Sequence, residues 1–569
     1  MQDKPWLKSY PPGMRWDLQI DPRPVQALLD DTATKWPTHD ALDFMGRRIP
    51  YSELLTQANR CAKGLQQIGV GPGVHVGLYL PNTPHYLIAF FGILKAGGTV
   101  VNYSPLDAAQ VLEHKIEDSR TDVLITLDLA SLYPQMAAML GRTRLRTLVV
   151  GSLPEMALES TTMSAQLQAA KLLCDVPHDA RHLRFAALLD NDGAFIPQAM
   201  ADPADTVAVL QYSGGTTGLP KGAMLTHANL GAAVAQAWET VAGGEQPALR
   251  EGQERVLAVL PPFHIYALTA NMLLGVRGGF ALSLHARFDA QAALDDIVQK
   301  KISCFPGVPT MFSALLAHPD LARYDLRSLR HCGSGGAPLP LEVAQRFEQT
   351  TGCKLSEGWG MTETSPTGTF TPMHGVRKPG SCGLPSPGIE IRMLALDDDG
   401  RYVARGERGE ICIRGANVMK GYWNKPGATA EVTTFDGFLR TGDVGYMDDD
   451  GFVFIVDRCK DMLLCSGYNV YPRVLEEAIH QHPAVAEVCV IGIDDAYRGQ
   501  SPKAFVTLKA GAEPFTLAQL QAFLKDRVGK HEQVQALDIR SELPKTAVGK
   551  LSKKELQDEE RRKQATPAG

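Results

Sequence analysis

The sequence predicts an α/β protein: a large N-terminal domain of wound α/β subdomains plus a small β-rich subdomain, then a smaller α+β C-terminal domain. Short apolar strands alternate with helices from about residue 40 to about residue 360, the pattern of a mainly parallel sheet covered by helices. From about Gly380 the pattern changes to short strands separated by turns, and from Asp461 mixed α and β segments return. A chain of 569 residues is also too long for one ordinary core. These shifts set the boundaries: 1–458 for the N-terminal domain, with 380–458 as its β-rich part, and 459–569 for the C-terminal domain.

The elements follow in order. Residues 24–36 (PVQALLDDTATKW) read as a helix, and 40–51 as a hairpin around Gly46. Ser52-Glu53-Leu54 opens a helix to about Ile68, with Ser52 as its N-cap. Residues 74–80 are strand-like, 84–96 (PHYLIAFFGILKA) form an apolar buried helix, and 99–103, 108–119 and 121–126 read as strand, helix and strand. Residues 152–205 have weak periodicity and read as a surface connector. Residues 206–212 (TVAVLQY) form a buried strand, and 224–238 (MLTHANLGAAVAQAW) an apolar-periodic helix. The alternation continues with strands at 255–260 and 280–284, helices at 290–300 and 340–351, and a short strand before Cys304. Loops beginning near Phe263, Gly335 and Gly358 fall at C-terminal strand ends, where open α/β sheets bind ligands. The Asp-Asp-Asp-Gly strings at 397–400 and 448–451 read as hairpin turns rather than metal loops, because Asp-Gly favours positive φ between strands. In the C-terminal domain 472–480 and 517–528 read as helices and 485–493, 504–508 and 536–539 as strands. A charged, solvated helix fraying into a tail closes the chain.

Between the strand at 206–212 and the following helix lies Tyr212-Ser213-Gly214-Gly215-Thr216-Thr217-Gly218-Leu219-Pro220-Lys221-Gly222. Its glycines let backbone N–H groups approach a ligand, consecutive N–H groups form an anion nest, and its hydroxyls and lysine suit phosphate. A polyphosphate cradle and a plain surface loop both fit this composition. It is not a Walker A loop, since Pro220 precedes Lys221 and Gly222 follows it.

Bulk properties narrow the classes. Hydrophobic residues at 44% and charged residues at 21% are those of a globular protein, and a net charge of -6 argues against general nucleic-acid binding. The ten cysteines are scattered without a CxxC pair, which fits a reducing cytoplasmic compartment rather than a zinc or disulfide framework. No signal peptide or transmembrane run is read. Peripheral membrane contact and a homodimer are compatible with the sequence but not read from it.

The 212–222 loop closely resembles the phosphate-binding loop of the adenylate-forming (ANL) superfamily, which includes acyl-CoA synthetases, firefly luciferases and peptide-synthetase adenylation domains. Further segments match that family's motifs in order and spacing. Gly335-Gly336-Ala337-Pro338-Leu339 resembles its adenine-lining loop. Gly358-Trp359-Gly360-Met361-Thr362-Glu363 resembles its nucleotide motif, with Trp359 where tyrosine is usual. Trp359 can still lie against a purine face, while any role of the tyrosine hydroxyl is lost. Thr441-Gly442-Asp443 resembles the ribose-binding motif, and Asp457-Arg458-Cys459-Lys460-Asp461 the hinge. Ser466-Gly467-Tyr468 resembles the loop used in the second half-reaction, and Pro544-Lys545-Thr546-Ala547-Val548-Gly549-Lys550 the motif with the catalytic lysine.

The resemblance implies ATP, Mg²⁺ and CoA as cofactor and cosubstrates, and a carboxylic acid as substrate. It implies that Lys550, Thr362 and Glu363 are catalytic. Tyr212, Ser213, Gly214, Gly215, Thr216, Thr217, Gly218, Lys221, Gly335, Gly336, Ala337, Gly358, Trp359, Gly360, Met361, Thr362, Asp443 and Arg458 are implied to bind ATP or AMP. Thr217 and Glu363 are implied to ligate metal, a hard cation reaching protein through one or two carboxylates. His264, Tyr266, Leu268, Gly307 and Ser334 are implied to line the acyl pocket. Lys460, Ser466, Gly467 and Tyr468 are assigned to the hinge and CoA channel of a mobile C-terminal domain. Peptide-synthetase domains carry an aspartate where His264 stands, so amino acids are disfavoured. Apolar Phe263, Ile265, Val308, Met311 and Phe312 suit an alkyl chain or aromatic ring. The wording resembles bacterial long-chain fatty acyl-CoA synthetases most. The competing readings are a CoA ligase for dicarboxylic or aromatic acids and a non-catalytic nucleotide-binding regulator.

Overall fold

The computed structural model describes residues 4–213, 219–397, 400–465, 468–495, 497–546 and 551–565. Two large sheets build the N-terminal domain. One has eight strands, in the order Gly421–Tyr422, Lys221–Thr226, Val207–Ser213, Thr99–Asn102, His75–Leu78, Thr121–Leu127, Thr147–Gly151 and His182–Arg184. The other has nine, with Leu355–Trp359, His331–Ser334, Cys304–Gly307, Arg255–Ala258, Ala281–Leu284 and Asp40–Phe44 as its parallel centre. Strands such as His75–Leu78, Thr99–Asn102 and Ala281–Leu284 are buried at every residue, as a sheet covered on both faces requires. Every residue of helix Pro84–Ala96 is buried, as its uniform apolarity requires.

A buried polar chain fastens the sheets together where the site lies. The Tyr86 hydroxyl shares its one proton between Asn102 Oδ1 at 2.7 Å and the Pro262 carbonyl at 2.9 Å. Asn102 Nδ2 donates to Gln211 Oε1 at 2.8 Å, and Gln211 Nε2 to the Phe263 carbonyl at 2.7 Å. Such groups are costly unless paired, so the chain fixes the 261–264 loop beside strand Val207–Ser213.

Several sequence expectations are corrected. The segment after the glycine loop is a strand, Lys221–Thr226, antiparallel to Val207–Ser213, and the helix begins only at His227. Thr226 and Asn229 form its capping box, so the helix start lies past the strand, away from the loop. Pairing with Val207–Ser213 on one side and Gly421–Tyr422 on the other overrode the apolar periodicity of 224–238. The helix expected to be capped by Ser52 starts at Tyr51 after Pro50, with no side-chain cap. Tyr51 is fully buried and donates to the Phe280 carbonyl at 2.7 Å. The 152–205 stretch is more than a connector: His182–Arg184 extends the sheet, and Phe185 and Leu188 are buried. Cys304–Gly307 is itself the strand.

The β-rich part holds a four-stranded antiparallel sheet of Glu390–Leu394, Gly409–Arg414, Leu439–Met447 and Val453–Arg458. The turn at 448–451 is a hairpin, as expected: Asp448 Oδ1 accepts from the Asp450 and Phe452 N–H groups, and Gly451 has φ +85°. Lys378 Nζ neutralises Asp448 and Asp450 at 2.5 and 2.6 Å. In the 397–400 turn, Asp398 and Asp399 lie outside the described residues.

The C-terminal domain folds around its own five-stranded sheet, centred on Val485–Asp495 and Gly499–Leu508, with helices Pro472–His480, Leu517–Leu524 and Lys553–Ala565. The last helix is docked rather than simply solvated: Leu556 is buried with Cys489, Ile491, Phe505 and Leu543. The domains touch at Asp457, whose Oδ2 accepts from the Arg473 N–H at 2.8 Å, and where Tyr471 packs with Val444 and Val456. No helix among the described residues is long and apolar enough to cross a membrane, and all ten cysteines are free thiols.

Candidate active site

The site is assembled where loops from both large sheets meet the β-rich sheet. Strand Val207–Ser213 ends with Ser213, whose Oγ donates to Glu363 Oε1 at 3.0 Å. Glu363 lies in the 3₁₀ turn Thr362–Thr364 and is buried. The same oxygen accepts from the Tyr422 hydroxyl at 2.9 Å. Tyr422 is brought there because Gly421–Tyr422 pairs with Lys221–Thr226, and Lys221 Nζ stands 5.2 Å from its ring centroid. Burial first, and then the Glu363 carboxylate, hold the Tyr422 phenol well above its ordinary pKa, so it stays a donor. Tyr422 is missed by sequence reasoning, because only the sheet edge brings it under Lys221.

Tyr212 is turned to another task. Its hydroxyl donates to Asp118 Oδ2 at 2.7 Å, and a Cβ at Gly222 would lie 3.1 Å from its ring. Gly214, Gly215, Thr216, Thr217 and Gly218 lie outside the described residues.

A second cluster forms at Asp443. The Trp359 indole Nε1 donates to Asp443 Oδ2 at 2.8 Å, while Arg458 Nε lies 3.2 Å from Oδ1. Asp443 and Arg458 face each other across the pairing of Leu439–Met447 with Val453–Arg458. The expectation that Trp359 merely offers a ring face is therefore incomplete, since its N–H is engaged. Gly360 is required here, because a Cβ would sit 1.5 Å from the Pro366 carbonyl oxygen. Met361 N donates to Thr364 Oγ1 at 3.0 Å and shapes the turn that carries Thr362 and Glu363.

The third cluster surrounds Tyr266. Its hydroxyl donates to the Gly333 carbonyl at 3.2 Å, and a Cβ at Gly335 would lie 3.1 Å from its ring. Gly335 N donates to the Gly307 carbonyl at 3.2 Å, and Gly336 adopts φ +78° at the turn before Ala337. His264 caps the helix that follows, its Nδ1 accepting from Tyr266 N at 3.3 Å. That helix runs through a π-turn, Leu268–Leu273, a distortion frequent at functional sites. Ser334 Oγ is buried with no hydrogen-bond partner among the described residues. Leu268, Ile265 and Phe312 are core residues, Phe312 packing on Phe305 and Phe347 with centroids 5.1 Å away in each case.

Beside these clusters, Glu357 Oε1 accepts from Leu339 N at 3.2 Å. Burial pushes its carboxyl up to about 7, while Arg473 of the C-terminal domain and the Leu339 N–H pull it back. Lys460 is exposed, and Tyr468, 60% exposed, pairs with Cys465 in the C-terminal sheet. Ser466, Gly467 and Lys550 lie outside the described residues, although the bridge between Lys545 and Leu551 marks the base of the segment carrying Lys550. Lys553 Nζ, 3.1 Å from Glu476, anchors the helix that follows.

Mg²⁺ is fitted by this donor set to the extent that hard cations need: one buried carboxylate, Glu363, already oriented by two hydroxyls. Among the described residues no group of three or more His, Cys, Asp or Glu side chains could hold a metal. A cation completed by phosphate oxygens does not need such a group.

Comparison with known proteins places these clusters in context. The AMP-binding enzyme family matches residues 29–423, and the AMP-binding enzyme C-terminal domain matches 474–550. The chain is 40% identical over 561 residues to a long-chain-fatty-acid–CoA ligase of Bacillus subtilis, covering 98% of each chain. It is 34% identical to a feruloyl-CoA synthase of an Amycolatopsis species, over 91% of this chain and 96% of that one. Among solved structures it resembles the anthranilate CoA ligase AuaEII in complex with anthranoyl-AMP, with TM-score 0.84 and 26% identity over 97% of this chain and 99% of that one. It also resembles ATP-bound MatB from Rhodopseudomonas palustris, with TM-score 0.82 and 27% identity over 94% and 98%. Motif order, fold and near end-to-end similarity agree: this chain belongs to the AMP-binding enzyme family and is an acyl-CoA synthetase of the adenylate-forming superfamily.

Proposed function

We propose that this protein is an ATP-dependent fatty acid–CoA ligase for medium- or long-chain acids. The acid's carboxylate attacks the α-phosphorus of ATP and releases pyrophosphate; the CoA thiol then displaces AMP from the acyl-adenylate to give acyl-CoA. The observation that carries the reading is the convergence of Ser213 and Tyr422 on Glu363, with Lys221 over the Tyr422 ring, in a chain alignable over nearly its whole length with long-chain-fatty-acid–CoA ligases.

In this reading the nucleotide lies along the clusters described above. Residues 213–221 hold the β- and γ-phosphates, Thr362 contacts the α-phosphate, and Asp443 with Arg458 takes the ribose. Gly335, Gly336, Ala337, Gly358, Gly360 and Met361 line the base. Carboxylate and phosphates repel each other, so positive charge must be fixed between them in advance. Glu363, with Thr217, holds Mg²⁺, which supplies part of that charge when bound; Lys550 supplies the rest. His264, Tyr266, Leu268, Gly307 and Ser334 border the acyl group.

This reading puts the domain boundary at 458/459, with 380–458 as the β-rich part, and the end of strand Val453–Arg458 at that point supports it. Lys460 serves as the pivot, with Ser466, Gly467 and Tyr468 turning toward the site for thioester formation. The contact of Asp457 with the Arg473 N–H joins the two sides of that pivot and breaks when the domain turns. Ten free thiols fit a reducing cytoplasm.

A second reading, a ligase for aromatic acids, is favoured by the feruloyl-CoA synthase relative. AMP release measured across saturated fatty, dicarboxylic and phenylpropanoid acids tests both. No turnover with any medium- or long-chain fatty acid sinks the first reading, and no turnover with any aromatic acid sinks the second.

A further inference from the structure

We propose that Trp359 is a positioning residue for nucleotide recognition, its indole N–H holding the Asp443 carboxylate in the orientation that reads both ribose hydroxyls. The inference rests on the functional reading above, which takes Asp443 as the ribose acceptor.

The geometry is that of a carboxylate clamped from two sides. Trp359 Nε1 reaches Oδ2 at 2.8 Å and Arg458 Nε reaches Oδ1 at 3.2 Å. An ionised carboxylate offers about four acceptor sites. One hydrogen bond, from the indole to Oδ2, and an ion pair at Oδ1 therefore leave a site on each oxygen for the two hydroxyls of a vicinal diol. Arg458 alone is a weak anchor, because its side chain is 56% exposed and long, while the Asp443 side chain is only 10% exposed. The indole N–H comes from a different sheet, so it fixes the rotation of the carboxylate that a partner on the neighbouring strand leaves free.

Trp359 is itself held. Its backbone N donates to Thr369 Oγ1 at 3.3 Å, and strand pairing sets it against Thr369. Gly368 lies flush with the indole: a Cβ there would be 2.6 Å from the Trp359 carbonyl oxygen and 2.8 Å from the ring. The wide ring and the missing side chain at 368 form one arrangement, which aims the N–H at Asp443. A phenylalanine at 359 would keep the aromatic face for a purine and lose the donor.

Calorimetric titration of AMP, 2′-deoxy-AMP and 3′-deoxy-AMP into the full-length wild type and W359F tests this directly. The expected result is AMP binding weakened about five- to tenfold in W359F, with the deoxynucleotides weakened less, so that the preference for an intact ribose narrows. Trp359→His, whose ring N–H can serve the same carboxylate, should recover part of that preference. Equal weakening of all three nucleotides would assign Trp359 to stacking or structure and overturn the inference, as would unchanged AMP binding. If W359F does not fold, Trp359→Leu against Trp359→His gives the same comparison. Wild type that binds no AMP would sink the functional reading together with the inference. Wild type that prefers an intact ribose, with variants that keep that preference, sinks the inference alone.

Discussion

Ser213 and Glu363, 150 positions apart, share a 3.0 Å hydrogen bond that ties the strand leading into the glycine loop to the acid of the Thr-Glu motif. Tyr422 adds a second donor to the same oxygen. Removing that donor should leave Glu363 in place but less well oriented. Tyr422→Phe is expected to slow acid-dependent ATP–pyrophosphate exchange about tenfold and to raise the Mg²⁺ concentration needed for half-maximal rate. An unchanged Mg²⁺ dependence would show that Tyr422 serves the fold alone.

Lys550 should matter to one half-reaction. Lys550→Ala is expected to cut adenylation by a factor of at least about 10² while leaving thioester formation from supplied acyl-adenylate within a few-fold of wild type. Comparable losses in both assays would contradict its assignment.

Glu357 gives a pH-dependent stability. Its carboxyl is pushed from 4.5 up to about 7 in the folded protein, so the folded state holds the proton more tightly than the unfolded state. Ionising it then costs stability as pH rises from about 4.5 to about 7, and the full cost persists above that. Glu357→Gln removes the cost, so the variant should exceed wild type by about 1–3 kcal/mol in urea unfolding at pH 8 and by much less at pH 5. A variant less stable than wild type at pH 8 would mean that attraction to Arg473 outweighs desolvation.

Gly360 is a steric requirement. With a Cβ placed 1.5 Å from the Pro366 carbonyl, Gly360→Ala must displace backbone. The expected cost is about 2 kcal/mol or more in denaturant unfolding, with weakened AMP binding. Wild-type stability and affinity together would show that the turn is softer than its packing indicates.

Much of the fold was legible in the chain because its strands and helices carry the periodicities that their burial demands. Helix Pro84–Ala96 and strand Val207–Ser213 are fully or largely buried, and their composition says so locally. The failures share one cause. Residues 224–226 look helical in isolation, yet Lys221–Thr226 pairs as a strand, since pairing with strands on both sides outweighs local propensity. His182–Arg184 was missed because three residues carry no periodicity to read.

The sequence by itself determined the family, the order of the motifs and the residues that carry them, because glycine loops and charged side chains at fixed short spacings act through their own backbone. Only the tertiary structure decided which of those residues meet. Trp359 and Asp443 stand 84 positions apart, and Tyr422 and Glu363 stand 59 apart. Their contacts depend on strand register and on which sheet edges adjoin, and these are set by packing of the whole core rather than by any local string.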